Sequence, residues 1–106
     1  MLRIAYLEDE IIQQAFLADL LYERKDIELV LYTSAKEMMF QCDKDYSFDL
    51  IILDIQMKEM NGMEMAHHIR AYNKKVPILF LTAIKEYVFE GYEVRAIQFN
   101  EWKWWY

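Results

Sequence analysis

Three features of the 106-residue chain predict an α/β domain in which a parallel sheet carries helices on both faces. Short runs rich in Ile, Leu, Val and Phe recur along it with apolar residues on both parities, as in strands covered on two sides. Longer segments with helical spacing separate these runs. Helix-start signals stand ahead of two of those segments, and the resulting β-α-β-α-β-α-β-α-β order favours right-handed crossovers between parallel strands.

The first strand is "LRIAYL" at 2–7. Ile12, Phe16, Leu20 and Leu21 then recur at helical steps and predict a helix with these residues on its apolar face, Gln13, Gln14 and Asp19 falling elsewhere. The second strand is "IELVLY" at 27–32. Ser34 followed by Glu37 matches a capping box and opens a helix over 35–44. "DLIILD" at 49–54 is the third strand, and Asn61 followed by Glu64 resembles a capping box for a helix over 62–72. "PILFLT" at 77–82 is the fourth strand. "IKEYVFEGYEV" predicts a shorter helix capped near Gly91, and "AIQF" at 96–99 is a weaker fifth strand. A chain of this length fits one domain spanning 1–106.

Composition narrows the function. A hydrophobic fraction of 56% with two Gly and one Pro fits an element-rich globular chain. The net charge of -6 and the scattered basic residues argue against nucleic-acid binding by this chain. "MLRIAYLEDE" reaches acidic residues too soon for a signal-peptide core, and the nearly apolar run at 76–84 falls far short of the roughly 20 residues that span a bilayer. Neither a membrane partner nor secretion is expected. Cys42 is alone, so no disulfide framework or cysteine metal cluster is expected, and a reducing, cytoplasmic location follows as the expectation.

Asp54 closes a run of four aliphatic residues, although acidic side chains resist burial. In open α/β sheets ligands bind beyond the carboxyl ends of the strands, where strand order reverses. Glu8, Asp9 and Glu10 follow the first strand in the same way, and Thr82 closes the fourth. If strands one and three are neighbours, these carboxylates converge. Converging carboxylates repel unless a cation sits between them, and Mg²⁺ suits such a group. One carboxylate is then free to attack phosphorus and form an aspartyl phosphate, with the Thr82 hydroxyl placed to bond a phosphoryl oxygen. The competing reading, solvated loop starts, is stronger for any single residue than for the set. Two other chemistries fail on motif: no G-x-x-x-x-G-K-[ST] loop occurs, and a dehalogenase-type phosphatase needs a second aspartate where Gln56 stands.

The stretches "IAYLEDE", "FDLIILDIQMKEMNGMEMAHHIR" and "ILFLTAIKEYVFEGYEVRAI" resemble the receiver domain of two-component response regulators. The similarity covers nearly all of residues 1–99. It is closest to receivers of the LytR/AlgR type, which precede a LytTR DNA-binding domain. The resemblance implies a flavodoxin-like, doubly wound sheet of five strands in the order 2-1-3-4-5. It implies that Asp54 is the phosphoacceptor, taking a phosphoryl group from a histidine kinase. Glu8, Asp9, Asp54 and the backbone carbonyl of Gln56 would hold Mg²⁺, with Asp9 the more direct ligand of the acidic pair. Thr82 and Phe99 match the switch hydroxyl and the switch aromatic. Phosphorylation in such domains shifts an existing equilibrium at the fourth helix and fifth strand, changing dimerisation or effector contact. The chain would then be a signalling module acting only in its own Mg²⁺-dependent phosphotransfer and autodephosphorylation, not an enzyme with an outside substrate. A transcription-regulating output domain would lie outside it.

Two departures accompany the resemblance. Lys58 stands where a proline is common. After Phe99 the resemblance implies two apolar residues, a lysine at position 102, a proline and a fifth helix, whereas the chain reads "FNEWKWWY". Position 102 is Trp102, and Lys103 is the nearest candidate for a displaced active-site lysine, one residue out of phase. Residues 100–106 therefore read as an atypical, truncated tail with the fifth helix missing. Two readings of the tail stand level: Trp102, Trp104, Trp105 and Tyr106 cover the sheet face thus bared or pair with a second copy through the C-terminal half, or the tail is incidental to a truncated or frame-altered reading. The alternative function is a degenerate receiver, serving as a phosphorylation-independent interaction module. Elsewhere, His67 and His68 read as a solvated helix face, Met57, Met60, Met63 and Met65 as core or surface-contact residues, and Cys42 as a buried or half-buried small hydrophobe. Tyr87, Phe89 and Tyr92 fit either the core or a partner surface.

Overall fold

The apolar runs form strands β1 (Leu2–Leu7), β2 (Ile27–Tyr32), β3 (Leu50–Leu53), β4 (Ile78–Phe80) and β5 (Gln98–Phe99). This is seen in a computed structural model of the protein, which describes residues 1–81 and 98–99. Helices α1 (Ile11–Leu21), α2 (Ala35–Cys42) and α3 (Gly62–Tyr72) connect the first four strands. All strand pairs are parallel, and the order is β2-β1-β3-β4-β5. The direction of winding reverses between β1 and β3, so the two strands that end in acidic residues lie side by side, with Leu7 opposite Leu53. The helix expected over 84–94, Thr82 and the tail at 100–106 fall outside the described residues.

Strand alternation sends β1 side chains into two cores. Ala5 and Leu7 join Ile51, Leu53, Ile78 and Phe80 beneath Met38 of α2 and Met63, Ala66 and Ile69 of α3. Ile4 and Tyr6 join Ile52 and Leu81 on the opposite face, against Leu17 of α1. Helices pack on both faces, which is why the strands carry apolar residues on both parities.

Caps explain where the helices begin. Asn61 accepts from the Glu64 amide at 2.9 Å, and the Glu64 carboxylate accepts from the Asn61 amide at 3.2 Å, the full reciprocal capping box at the start of α3. Ser34 likewise accepts from the Glu37 amide at 3.0 Å. Glu37, however, turns its carboxylate to the amide of Thr33 at 2.8 Å, so the return bond lands one residue earlier than the expected box. Helix α2 stops at Cys42, short of the expected 44, because Asp43 takes the left-handed conformation at φ 47°. Aspartate tolerates that conformation better than most residues.

Helix α1 departs from expectation. Ile12 is 84% and Leu20 60% exposed, whereas Gln14, placed off the apolar face by its spacing, is buried. Apolar residues lie around most of this helix, so their spacing singles out no face. Two contacts orient it: Leu17 packs on the sheet, and the Gln14 side-chain amide donates to the Tyr32 carbonyl at 3.1 Å. His68 also differs from a solvated residue: half-buried, it meets the rings of Tyr46 and Tyr72 edge-on at 5.9 and 5.3 Å, while His67 is exposed. Met63 and Met65 are buried, Met57 and Met60 pack at the core margin, and half-buried Cys42 lies 3.6 Å from the Tyr32 hydroxyl. Burial pushes the Cys42 thiol up, so it stays protonated. Among the described residues no helix is long and apolar enough to cross a membrane.

Candidate functional site

The site follows from continuing two strands by one or two residues. The Glu8 amide donates to the Tyr32 carbonyl at 3.1 Å, and the Asp54 amide to the Leu7 carbonyl at 3.3 Å. These bonds extend the sheet ladder past the formal strand ends and fix where the acidic side chains leave the backbone. Glu8, Asp9 and Asp54 thereby present carboxylate oxygens that all lie within 4.8 Å of one another. Glu8 is fully buried and Asp54 is 2% exposed, while Asp9 is half-buried at the rim.

Local donors hold each carboxylate. The Tyr6 hydroxyl donates to Glu8 Oε1 at 3.2 Å, and the Glu10 amide to Glu8 Oε2 at 3.3 Å. The Lys58 amide donates to Asp9 Oδ2 at 3.0 Å, tying the loop after β3 to the loop after β1. The Gln56 amide donates to Asp54 Oδ1 at 3.3 Å. An open depression lined by Asp9, Glu10, Gln56, Met57 and Lys58 gives solvent access beside the cluster.

The start of α3 presses on this loop from below. The Gly62 amide donates to the Ile55 carbonyl at 2.9 Å, and a Cβ on Gly62 would collide with the Asp54 carbonyl oxygen. Only glycine allows the helix to begin against the backbone of Asp54. The Asn-Gly pair is therefore a cap and a close approach in succession.

The donor set suits a hard divalent cation. It is all oxygen, it brings three negative groups together, and two of them are withdrawn from water, where like charges are costly without a counter-ion. Mg²⁺ fits these residues on the chemistry of the donor set.

Glu8, Asp9 and Asp54 are brought together as the sequence pattern predicts. Gln56 is exposed at the loop, with its amide facing Asp54. Phe99 lies in β5, its backbone in register with Phe80. Thr82 and Lys103 lie outside the described residues. Sequence reasoning passed over Tyr6 and the reason for Gly62. The i, i+2 spacing of Tyr6 and Glu8 on one strand parity is a readable signal, whereas the burial of Glu8 and the approach at Gly62 are tertiary.

Compared with known proteins, residues 4–100 match the response regulator receiver domain family. The sensory transduction protein LytT of Bacillus cereus is 27% identical over 99 residues, which cover 93% of this chain and 40% of LytT. LytT of Oceanobacillus iheyensis is 30% identical over 100 residues, covering 92% and 41%. The chain thus spans about two-fifths of the length of these curated relatives. Among solved structures, the response regulator TrrA from Thermotoga maritima, in complex with Mg²⁺-BeF, superposes with a TM-score of 0.78 at 28% identity. The match covers 94% of this chain and 85% of TrrA. The non-phosphorylated HemR receiver domain from Leptospira biflexa gives 0.81 at 25% identity, over 94% and 81%.

Proposed function

Because this chain belongs to the response regulator receiver domain family, whose members accept phosphoryl groups in two-component signalling, we propose that Asp54 is its phosphoacceptor. The observation that carries this reading is the convergence of the Glu8, Asp9 and Asp54 carboxylates at the adjacent ends of β1 and β3. Asp54 is held by the Gln56 amide, with its carboxylate among the acidic group. One Asp54 oxygen forms a bond to phosphorus as the bond between phosphorus and a kinase histidine nitrogen breaks, and the imidazole departs. Glu8, Asp9 and Asp54, with the Gln56 carbonyl as a further donor, would hold Mg²⁺. When bound, the ion supplies positive charge to the phosphoryl oxygens.

Thr82 and Phe99 complete the reading as switch residues, with Lys103 as the displaced lysine. A histidine kinase is the proposed donor, an output domain or a second copy the proposed receiver of the signal, and the cytoplasm the proposed site of action. Autodephosphorylation of Asp54 ends the signal. Receiver domains are signalling modules rather than enzymes with outside substrates. The assembled acidic group disfavours the alternative of a purely interaction-based module, which has no use for two buried carboxylates at this spacing.

Calorimetric titration with Mg²⁺ tests the reading. Binding in the millimolar range or tighter is expected, together with a clear weakening in Asp54→Ala. No binding, or undiminished affinity in that variant, would sink it.

A further inference from the structure

Tyr6 is fully buried in the core beneath α1, among Ile4, Ile52 and Leu81. A phenol hydroxyl placed there needs a polar partner, because burying it unpaired is costly. It finds one at Glu8. The two residues are two apart on β1 and its direct continuation, so strand alternation turns both side chains to the same side of the sheet. The hydroxyl reaches Glu8 Oε1 at 3.2 Å while the Glu10 amide takes Oε2, so the carboxylate is gripped on both oxygens. Glutamate is one methylene longer and more mobile than aspartate, and a buried glutamate in a metal-binding group needs such a clamp to keep one rotamer.

We propose that Tyr6 is a positioning residue for the metal site, its hydroxyl fixing the Glu8 carboxylate toward Asp9 and Asp54. This rests on the reading of the acidic cluster as a Mg²⁺ site. Outer partners that orient a metal ligand typically influence affinity by about 10- to 100-fold when removed. Tyr6→Phe keeps the ring in the core and deletes only the hydroxyl.

A double-mutant cycle read by Mg²⁺ calorimetry separates positioning from packing. Tyr6→Phe is expected to weaken Mg²⁺ binding about tenfold. The same substitution in a Glu8→Ala background is expected to change affinity little, since the carboxylate it orients is gone. Unchanged or tighter binding in Tyr6→Phe, or an equal loss in both backgrounds, would overturn the proposal. Failure of the native chain to bind Mg²⁺ would instead strike the reading of the cluster itself. Thermal melts of all four proteins confirm that the affinities are those of folded chains.

Discussion

At Gly62 a hydrogen atom occupies the space where a Cβ would strike the Asp54 carbonyl. Gly62→Ala removes backbone freedom from the unfolded chain, worth about 0.5–1 kcal/mol in favour of a helix. It also forces two backbones apart, and overpacking of this kind costs about 1–3 kcal/mol. The clash involves backbone on both sides, so the second effect wins. A lower melting temperature and weaker Mg²⁺ binding are expected together, since the displaced atom belongs to the proposed phosphoacceptor. Tyr46 makes the opposite case. Its hydroxyl is buried and has no hydrogen-bond partner among the described residues, and burial pushes its pKa up to about 12. Tyr46→Phe should therefore raise stability by about 1 kcal/mol, a shift of several degrees in melting temperature. The folded state favours the neutral phenol, so native stability is independent of this ionisation below the unfolded value of about 10 and falls as pH rises toward about 12, widening the advantage of Tyr46→Phe. Alkaline melts should fall less steeply in Tyr46→Phe than in the native chain. At this scale Asp54 was legible because a charge ending an apolar run demands a reason. The unpaired Tyr46 hydroxyl was not legible, since nothing in "KDYSFD" marks its tyrosine as buried.

Among the elements, α3 is the one that sequence chemistry specifies most fully. Its capping box follows from local pattern, and the expected span of 62–72 is the span observed. Asn61→Ala deletes the side-chain acceptor for the Glu64 amide and should cost about 1 kcal/mol, read as a shift in denaturant midpoint with an unchanged slope. Because the same helix start touches Asp54, part of that loss should reappear as weaker Mg²⁺ binding. The buried face of α1 was not legible. With Ile11, Ile12, Leu17, Leu20 and Leu21 spread around it, periodicity offers no single stripe, and a tertiary hydrogen bond from Gln14 to the end of β2 helps set the orientation. Glu37 teaches a smaller lesson. The spacing of a capping box predicts that its carboxylate will reach back, but not which amide it finds.

Across the whole molecule, function depends on one topological fact, that β1 and β3 are neighbours while β2 lies outside them. Hydrophobic runs establish that there are parallel strands, but their order is not contained in periodicity; it came with the family resemblance. Once that order holds, acidic residues 46 positions apart in the chain, Glu8 and Asp54, fall within 4.8 Å of each other. The net charge of -6 adds to the local attraction for a cation, so Mg²⁺ affinity should depend on ionic strength as well as on the named ligands. The central claim is that this arrangement makes Asp54 a phosphoacceptor. Intact-protein mass spectrometry after incubation with Mg²⁺ and a small-molecule phosphodonor, beside Asp54→Asn, tests it most directly. A gain of one phosphoryl mass in the native chain, lost in the variant and on chelation of Mg²⁺, is predicted. No gain in a folded native chain, or an equal gain in Asp54→Asn, would contradict it.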